Sequence, residues 1–225
     1  MAGATAGRAA RMSDVLHDDQ ILDPLTVKGF RHSRQWVFGT MLFSALVSLT
    51  ASFVLSYDAV LLAANPTAEL SCNVNEVLSC GAVGVAWQSS LFGFPNAFLG
   101  LIAEPVVITI AVASLGGVRF PRWFMFSAQV VYALGLIFAY WLFYQSMFVI
   151  GALCPWCLLV TLSTTLVFMT LLHWNILENN LYLPARAQER ALSFVRSDAD
   201  VFLTAAWVVL MIAGVLLKHG SKLFG

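Results

Sequence analysis

Cys154 and Cys157 stand three apart in "GALCPWCLLV", at the head of an uncharged run long enough to cross a membrane. The other two of the four cysteines, Cys72 and Cys80, stand eight apart in "SCNVNEVLSC". Residues three apart on a helix share a face with Cβ atoms roughly 5–6 Å apart, so a Cys154–Cys157 disulfide needs only small adjustment. Pro155 suits a first helical turn. A helix beginning near Cys154 would offer its free N–H groups and its dipole to a thiolate. The apolar segment from Met147 to Leu153 leaves an earlier start open. Cys72 and Cys80 would lie about 12 Å apart along a straight helix, too far to bond. If they pair, their segment is bent or looped. A thiolate attacks a disulfide through a mixed intermediate, so two pairs within reach of each other form a relay. A scaffold held by two structural disulfides is the competing reading. The spacing matches no four-cysteine zinc module.

The elements that must position these sulfurs are membrane helices. The chain has 225 residues, of which 60% are hydrophobic and 11% charged, too apolar for a soluble domain of this size. A formal net charge of zero argues against a nucleic-acid partner. Five runs approach the roughly 20 apolar residues that a span needs. They are 36–57, 97–117 with Glu104 and Pro105 inside it, two runs within 123–172 divided at Tyr144-Gln145-Ser146, and 201–217. In lipid each must close its own hydrogen bonds, so each is expected to be a helix. The expected fold is an all-α integral membrane protein: a four-helix transmembrane bundle with a fifth transmembrane helix. The expected organisation is a cytoplasmic tail (1–33, with a short helix from about Asp23 and no signal peptide), a core (34–175) with an outer loop (58–96), a cytoplasmic linker (176–200), the fifth span (201–217) and an outer tail (218–225).

Basic residues orient the spans. Arg8, Arg11, Lys28, Arg31 and Arg34 precede the first, Arg119 and Arg122 separate the second and third, and Arg186, Arg190 and Arg196 separate the fourth and fifth. With five spans all ten lie on one side, while 58–96 contains no Lys or Arg. The N-terminus is therefore expected in the cytoplasm, with both cysteine pairs on the outer face, where disulfides persist.

A C-x7-C pair after the first span, "FGFPNAFLG" entering the second and a C-x-x-C opening the fourth resemble the vitamin K epoxide reductase (VKOR) family in its bacterial form, over about residues 36–173. Quinone-linked disulfide generators of the DsbB type carry their pairs in the reverse order. The resemblance implies a four-helix bundle around a quinone of the menaquinone or ubiquinone type. It implies that a thioredoxin-like (DsbA-type) extracytoplasmic partner gives up electrons to that quinone. Cys72 and Cys80 would be the shuttle pair, with Cys72 meeting the partner and Cys80 exchanging with Cys154. Cys157 would lie next to the quinone. Asn96 would hydrogen-bond a quinone carbonyl; read by itself it is a helix cap. The partner is expected to be a separate protein, because the chain stops eight residues after Leu217. An alternative is reduction of vitamin K epoxide or quinone for quinone recycling.

Three positions depart from the family pattern. Ala86 replaces a Ser or Thr, for which Ser89 or Ser90 could stand in. Thr161 replaces a Tyr, and its hydroxyl could still donate to a quinone. Asn73 follows Cys72 where Asp is common. Outside the resemblance, Glu104 is an intramembrane acid and hence a functional candidate, here as a proton source, its alternative being a hydrogen-bonded acid facing the bundle. Trp87 is expected in a short half-buried helix capping the bundle, and Tyr140, Trp141 and Tyr144 in an interfacial belt. His32, His173 and His219 fall near span ends at no ligand spacing.

Overall fold

The computed structural model describes residues 29–75 and 77–224, with side chains described as far as residue 220. The helix expected from about Asp23 lies outside these residues. Seven α-helices are described: α1 (Arg34–Ala64), α2 (Cys80–Gly84), α3 (Ala97–Leu115), α4 (Arg122–Tyr144), α5 (Pro155–Leu177), α6 (Ala185–Arg196) and α7 (Ala199–Phe224). Five of them, α1, α3, α4, α5 and α7, are long and apolar enough to cross a membrane. The chain is an all-α, multi-pass membrane protein.

α1 is the hub and packs along both α3 and α5, while α5 also packs along α4. Small side chains explain how close α1 and α3 come. Ser44, Ser48, Ser52 and Ser56 form an i, i+4 stripe on α1 and all are buried. Gly100 of α3 lies against Ser52, where a Cβ would collide with its side chain. Small residues are how membrane helices approach without a hydrophobic driving force. The half of the bundle away from the cysteines is a packed core of Phe38, Met41, Val107, Ile110, Val167 and Leu171. The fourth side is different: among the described residues α3 and α4 make almost no close backbone approach.

Several boundaries differ from the expected ones. α1 runs to Ala64, so the loop expected at 58–96 begins at Asn65 and Asp58 is a helical residue with a buried side chain. The tract 123–172 does not break at Tyr144-Gln145-Ser146. α4 continues into a π-turn, Gln145–Ile150, because both polar side chains find partners: Gln88 Nε2 donates to Gln145 Oε1, and Ser146 Oγ donates to the Ala152 carbonyl. The break comes at Gly151, whose φ of +75° is left-handed, a conformation that glycine adopts without a Cβ penalty. The segment 176–200 is not a plain linker, for α6 lies within it and buries Leu192 and Val195. α7 is longer than 201–217 and remains helical through Phe224, where a tail was expected.

At the end of the bundle where α1 begins and α5 finishes, polar side chains meet across helices. His32 Nδ1 lies 3.1 Å from His173 Nε2, and His173 Nδ1 lies 2.6 Å from Asp200 Oδ2. Burial, and after it the neighbouring His173, holds His32 below its ordinary pKa. This chain ties α7 to the core, and the Trp207 indole N–H adds a bond to the Tyr140 hydroxyl.

Candidate functional site

The sulfurs gather at the opposite end. Cys72 and Cys80 form a disulfide with Cα atoms 5.7 Å apart, so the segment between them is looped. Asparagines shape that loop. Asn75 Oδ1 accepts from the Val77 and Leu78 N–H groups. Asn73 Oδ1 accepts from the Gly81 N–H and the Ser79 hydroxyl, so the amide that stands in for the family's Asp anchors the start of α2. The Ser79 hydroxyl in turn accepts from Ala82 N–H as the α2 N-cap.

An isolated parallel bridge then fixes the loop against the mouth of α5. It pairs Leu78 with Leu153, through Leu153 N–H to the Val77 carbonyl and Ser79 N–H to the Leu153 carbonyl. Both neighbouring cysteines are delivered by it: Cys154 Sγ lies 3.3 Å from Cys80 Sγ. α5 starts at Pro155 with Cys154 as its N-cap, and the Cys157 N–H points at the Cys154 sulfur at 3.4 Å. The possibility of an earlier helix start is thereby removed. Cys154 and Cys157 are free thiols. A hydrogen bond from the Cys157 thiol, assisted by N–H groups of the first turn, holds Cys154 below the ordinary cysteine pKa against the opposing effect of burial. Cys154 is the sulfur poised to be a thiolate.

These sulfurs open on a cavity of about 910 Å³ lined by α1, α3, α4 and α5. It occupies the side where α3 and α4 stay apart. Cys80, Cys154, Cys157, Asn96, Thr161, Asp58 and Glu104 all contribute to its wall, among mostly apolar side chains. Its size and its few convergent polar groups are those of a small-molecule site. The polar groups are not all free. Asn96 does not cap α3 with its side chain. Instead Nδ2 donates to the Gln88 carbonyl at 2.6 Å and Oδ1 accepts from the Leu91 N–H. The amide is thus held from both sides by the Trp87–Ser90 turn region, with one N–H left over. The Thr161 hydroxyl donates to the Cys157 carbonyl at 2.9 Å, which occupies its proton. Ser89 donates to the Gly84 and Ala86 carbonyls, so its hydroxyl serves the turn that Ala86 leaves without a side-chain donor. Glu104 accepts from Ser48 at 2.7 Å and Tyr132 at 3.0 Å and faces the bundle. Trp87 lies in the expected short helix but is itself exposed.

The model of the vitamin K epoxide reductase family matches residues 40–172. The chain belongs to this family. The match spans α1, α3 and α4 almost entirely and most of α5, the four helices that build the cavity. No curated protein matches the chain. Membership makes it a membrane oxidoreductase of a family that works with quinones and vitamin K. Asp58 was not singled out in the sequence, although it is an acid one residue past the first apolar run, and intramembrane acids warrant a functional reading. In the structure its Oδ2 lies 3.8 Å from Cys72 Sγ.

Proposed function

We propose that the protein is a thiol–disulfide oxidoreductase that oxidises a thioredoxin-like partner outside the cytoplasm and delivers the electrons to a membrane quinone, supporting disulfide formation. One observation carries this reading: the Cys72–Cys80 disulfide presents Cys80 at 3.3 Å from the free Cys154 sulfur, and Cys157 lines the same apolar cavity. In the proposed cycle a partner thiolate attacks Cys72, and the broken bond leaves its electron pair on Cys80. A second partner thiol releases the oxidised partner and leaves Cys72 reduced. Cys80 then attacks Cys154 in a Cys154–Cys157 disulfide, and Cys157 leaves as thiolate. Cys72 attacks Cys80, which re-forms Cys72–Cys80 and frees Cys154. In this cycle the pairing of the structure, with Cys72 and Cys80 bonded and Cys154 and Cys157 free, would be the product of that last exchange.

The cavity fits a quinone by its volume, its apolar wall and its few hydrogen-bonding groups. When bound, a quinone of the menaquinone or ubiquinone type supplies the two-electron acceptor chemistry. Asn96 has one amide N–H to offer a ring oxygen and is fixed in position by its two other bonds. Thr161, with its proton committed, offers only a lone pair in this arrangement. Cys72 is buried beneath exposed Ser71, Asn73 and Val74, so the partner must engage this segment to reach it. The arginines of 119–122 and 186–196, together with Arg31 and Arg34, flank the opposite end of the helices, which supports an extracytoplasmic site by the positive-inside rule. The test is Cys157→Ala. Thiol-dependent quinone reduction should fall to background while the protein still inserts and keeps its Cys72–Cys80 disulfide. Unchanged turnover would sink the relay.

A further inference from the structure

Two acids line the cavity, and they differ in their partners. Glu104 accepts from two hydroxyls. Asp58 is buried, yet among the described residues its carboxylate faces only sulfur: its own oxygen, Cys72 Sγ and Cys80 Sγ all lie within 4.8 Å of one another. In the disulfide neither sulfur carries a proton, so among the described residues Asp58 has no hydrogen-bond donor. When the disulfide is reduced, Cys72 gains an S–H directed at a carboxylate oxygen 3.8 Å away. A buried carboxylate is costly without a hydrogen bond, and this one acquires its donor only in the reduced state.

We propose that Asp58 is the general base for Cys72 in the step that resolves the mixed Cys80–Cys154 disulfide. The proposal rests on the relay above and assigns a residue to one step of it. Asp58 Oδ2 takes the proton from the Cys72 thiol. The Cys72 sulfur attacks Cys80 Sγ, the Cys72–Cys80 bond forms, the Cys80–Cys154 bond breaks, and its electron pair leaves on Cys154. Geometry favours this direction of transfer. The titratable groups facing Asp58 are Cys72 and Cys80 from the loop and α2, and Cys154 from the mouth of α5. An ionised Asp58 repels a thiolate on Cys154. Taking up the Cys72 proton removes that repulsion as the charge arrives on Cys154, so the net charge of the site does not change. The proton stays on Asp58 until Cys154 and Cys157 are reoxidised, and leaves with their two electrons to the quinone acceptor.

The test uses the full chain in detergent, a water-soluble short-chain quinone as acceptor, and reduced thioredoxin as a donor too large to enter the cavity. Samples are quenched during turnover, free thiols are alkylated and disulfides are mapped by mass spectrometry at several pH values. Asp58→Asn should slow turnover by about 10²- to 10³-fold at neutral pH, the scale of a lost general base, and accumulate the Cys80–Cys154 disulfide. Both effects should fade as pH rises past about 8.5, where a cysteine ionises unaided. Asp58→Glu, which keeps a carboxylate, should retain most of the wild-type rate and its pH profile. An Asp58→Asn protein with wild-type turnover and no mixed disulfide overturns the proposal. So does a slow one that neither accumulates the mixed disulfide nor recovers at high pH. If Asp58→Asn fails to fold, an Asp58→Glu protein that folds but behaves as Asp58→Asn is expected to behave overturns it as well. Wild-type protein with no thioredoxin-dependent quinone reduction contradicts the relay itself rather than the role of Asp58.

Discussion

The two ends of the bundle are both polar within an apolar chain, but their polar groups face different things. At the end away from the sulfurs, the histidine end, they face one another. His32, His173 and Asp200 form a chain, and close by Asn175 donates to Gln129 and to the Met125 carbonyl while Asn180 donates to Asn175. At the sulfur end, Asp58, Asn96 and Cys157 face a cavity of about 910 Å³. Polar groups that pair across helices specify how the helices dock. Polar groups aimed into a cavity retain capacity for a ligand or a proton. The contrast predicts that histidine-end substitutions change stability and leave chemistry intact, and that sulfur-end substitutions act first on chemistry.

The sharpest way to break that contrast is Cys80→Ala. Thioredoxin-driven quinone reduction should fall to background while the helices still fold, with a stability loss no larger than that of the small-loop disulfide it removes, about 2–3 kcal/mol. Dithiothreitol, small enough to reach Cys154 and Cys157, should still drive it. Loss of both activities would mean that Cys80 does not separate the two pairs. Next in size is His173→Ala, which leaves Asp200 buried beside an empty site. Leaving a buried carboxylate oxygen without its hydrogen-bond donor costs about 1–3 kcal/mol. Denaturation in detergent should show that loss, while the turnover of the folded fraction stays at the wild-type rate; a reduced rate would carry chemistry to the histidine end.

Asn96→Ala is smaller. It should raise the quinone KM by about tenfold, the effect of one hydrogen bond of ordinary strength, with the rate of Cys72–Cys80 reduction by thioredoxin unaltered. An unchanged KM would reduce Asn96 to a fastener of the Gln88–Leu91 turn. The smallest effect is on pH dependence. His32 has a lowered pKa in the folded protein, so between that value and the ordinary 6.5 or so the unfolded chain binds a proton that the native state refuses. Stability should therefore be full above about pH 6.5 and decline as pH falls below it. His32→Gln should flatten that slope in thermal melts taken from pH 7.5 to 5; an unaltered slope would mean that another group causes it.

Much of this contrast was legible in the chain. Five spans, the one-sided arginines and the convergence of four cysteines at one end follow from composition and order alone. The histidine cluster did not, because His32 and His173 are 141 residues apart and no linear spacing reports a contact between the turn before α1 and α5. The π-turn after Tyr144 was hidden for the same reason: Gln145 reads as a break until Gln88 is seen to pair with it. The apolar run stops at Tyr57, one residue before Asp58, whereas the helix continues to Ala64 and turns the acid toward sulfur. The roles of Asn96 and Thr161 depended on bonds that only a folded turn can make.

The most direct measurement is disulfide mapping in Cys72→Ala, quenched after thioredoxin-independent oxidation by a soluble quinone. Without Cys72 the mixed disulfide has no resolving thiol. The relay predicts a peptide cross-linked through Cys80 and Cys154, with Cys157 alkylated as a free thiol. Protein that shows only Cys154–Cys157, with Cys80 free at every time point, would contradict it.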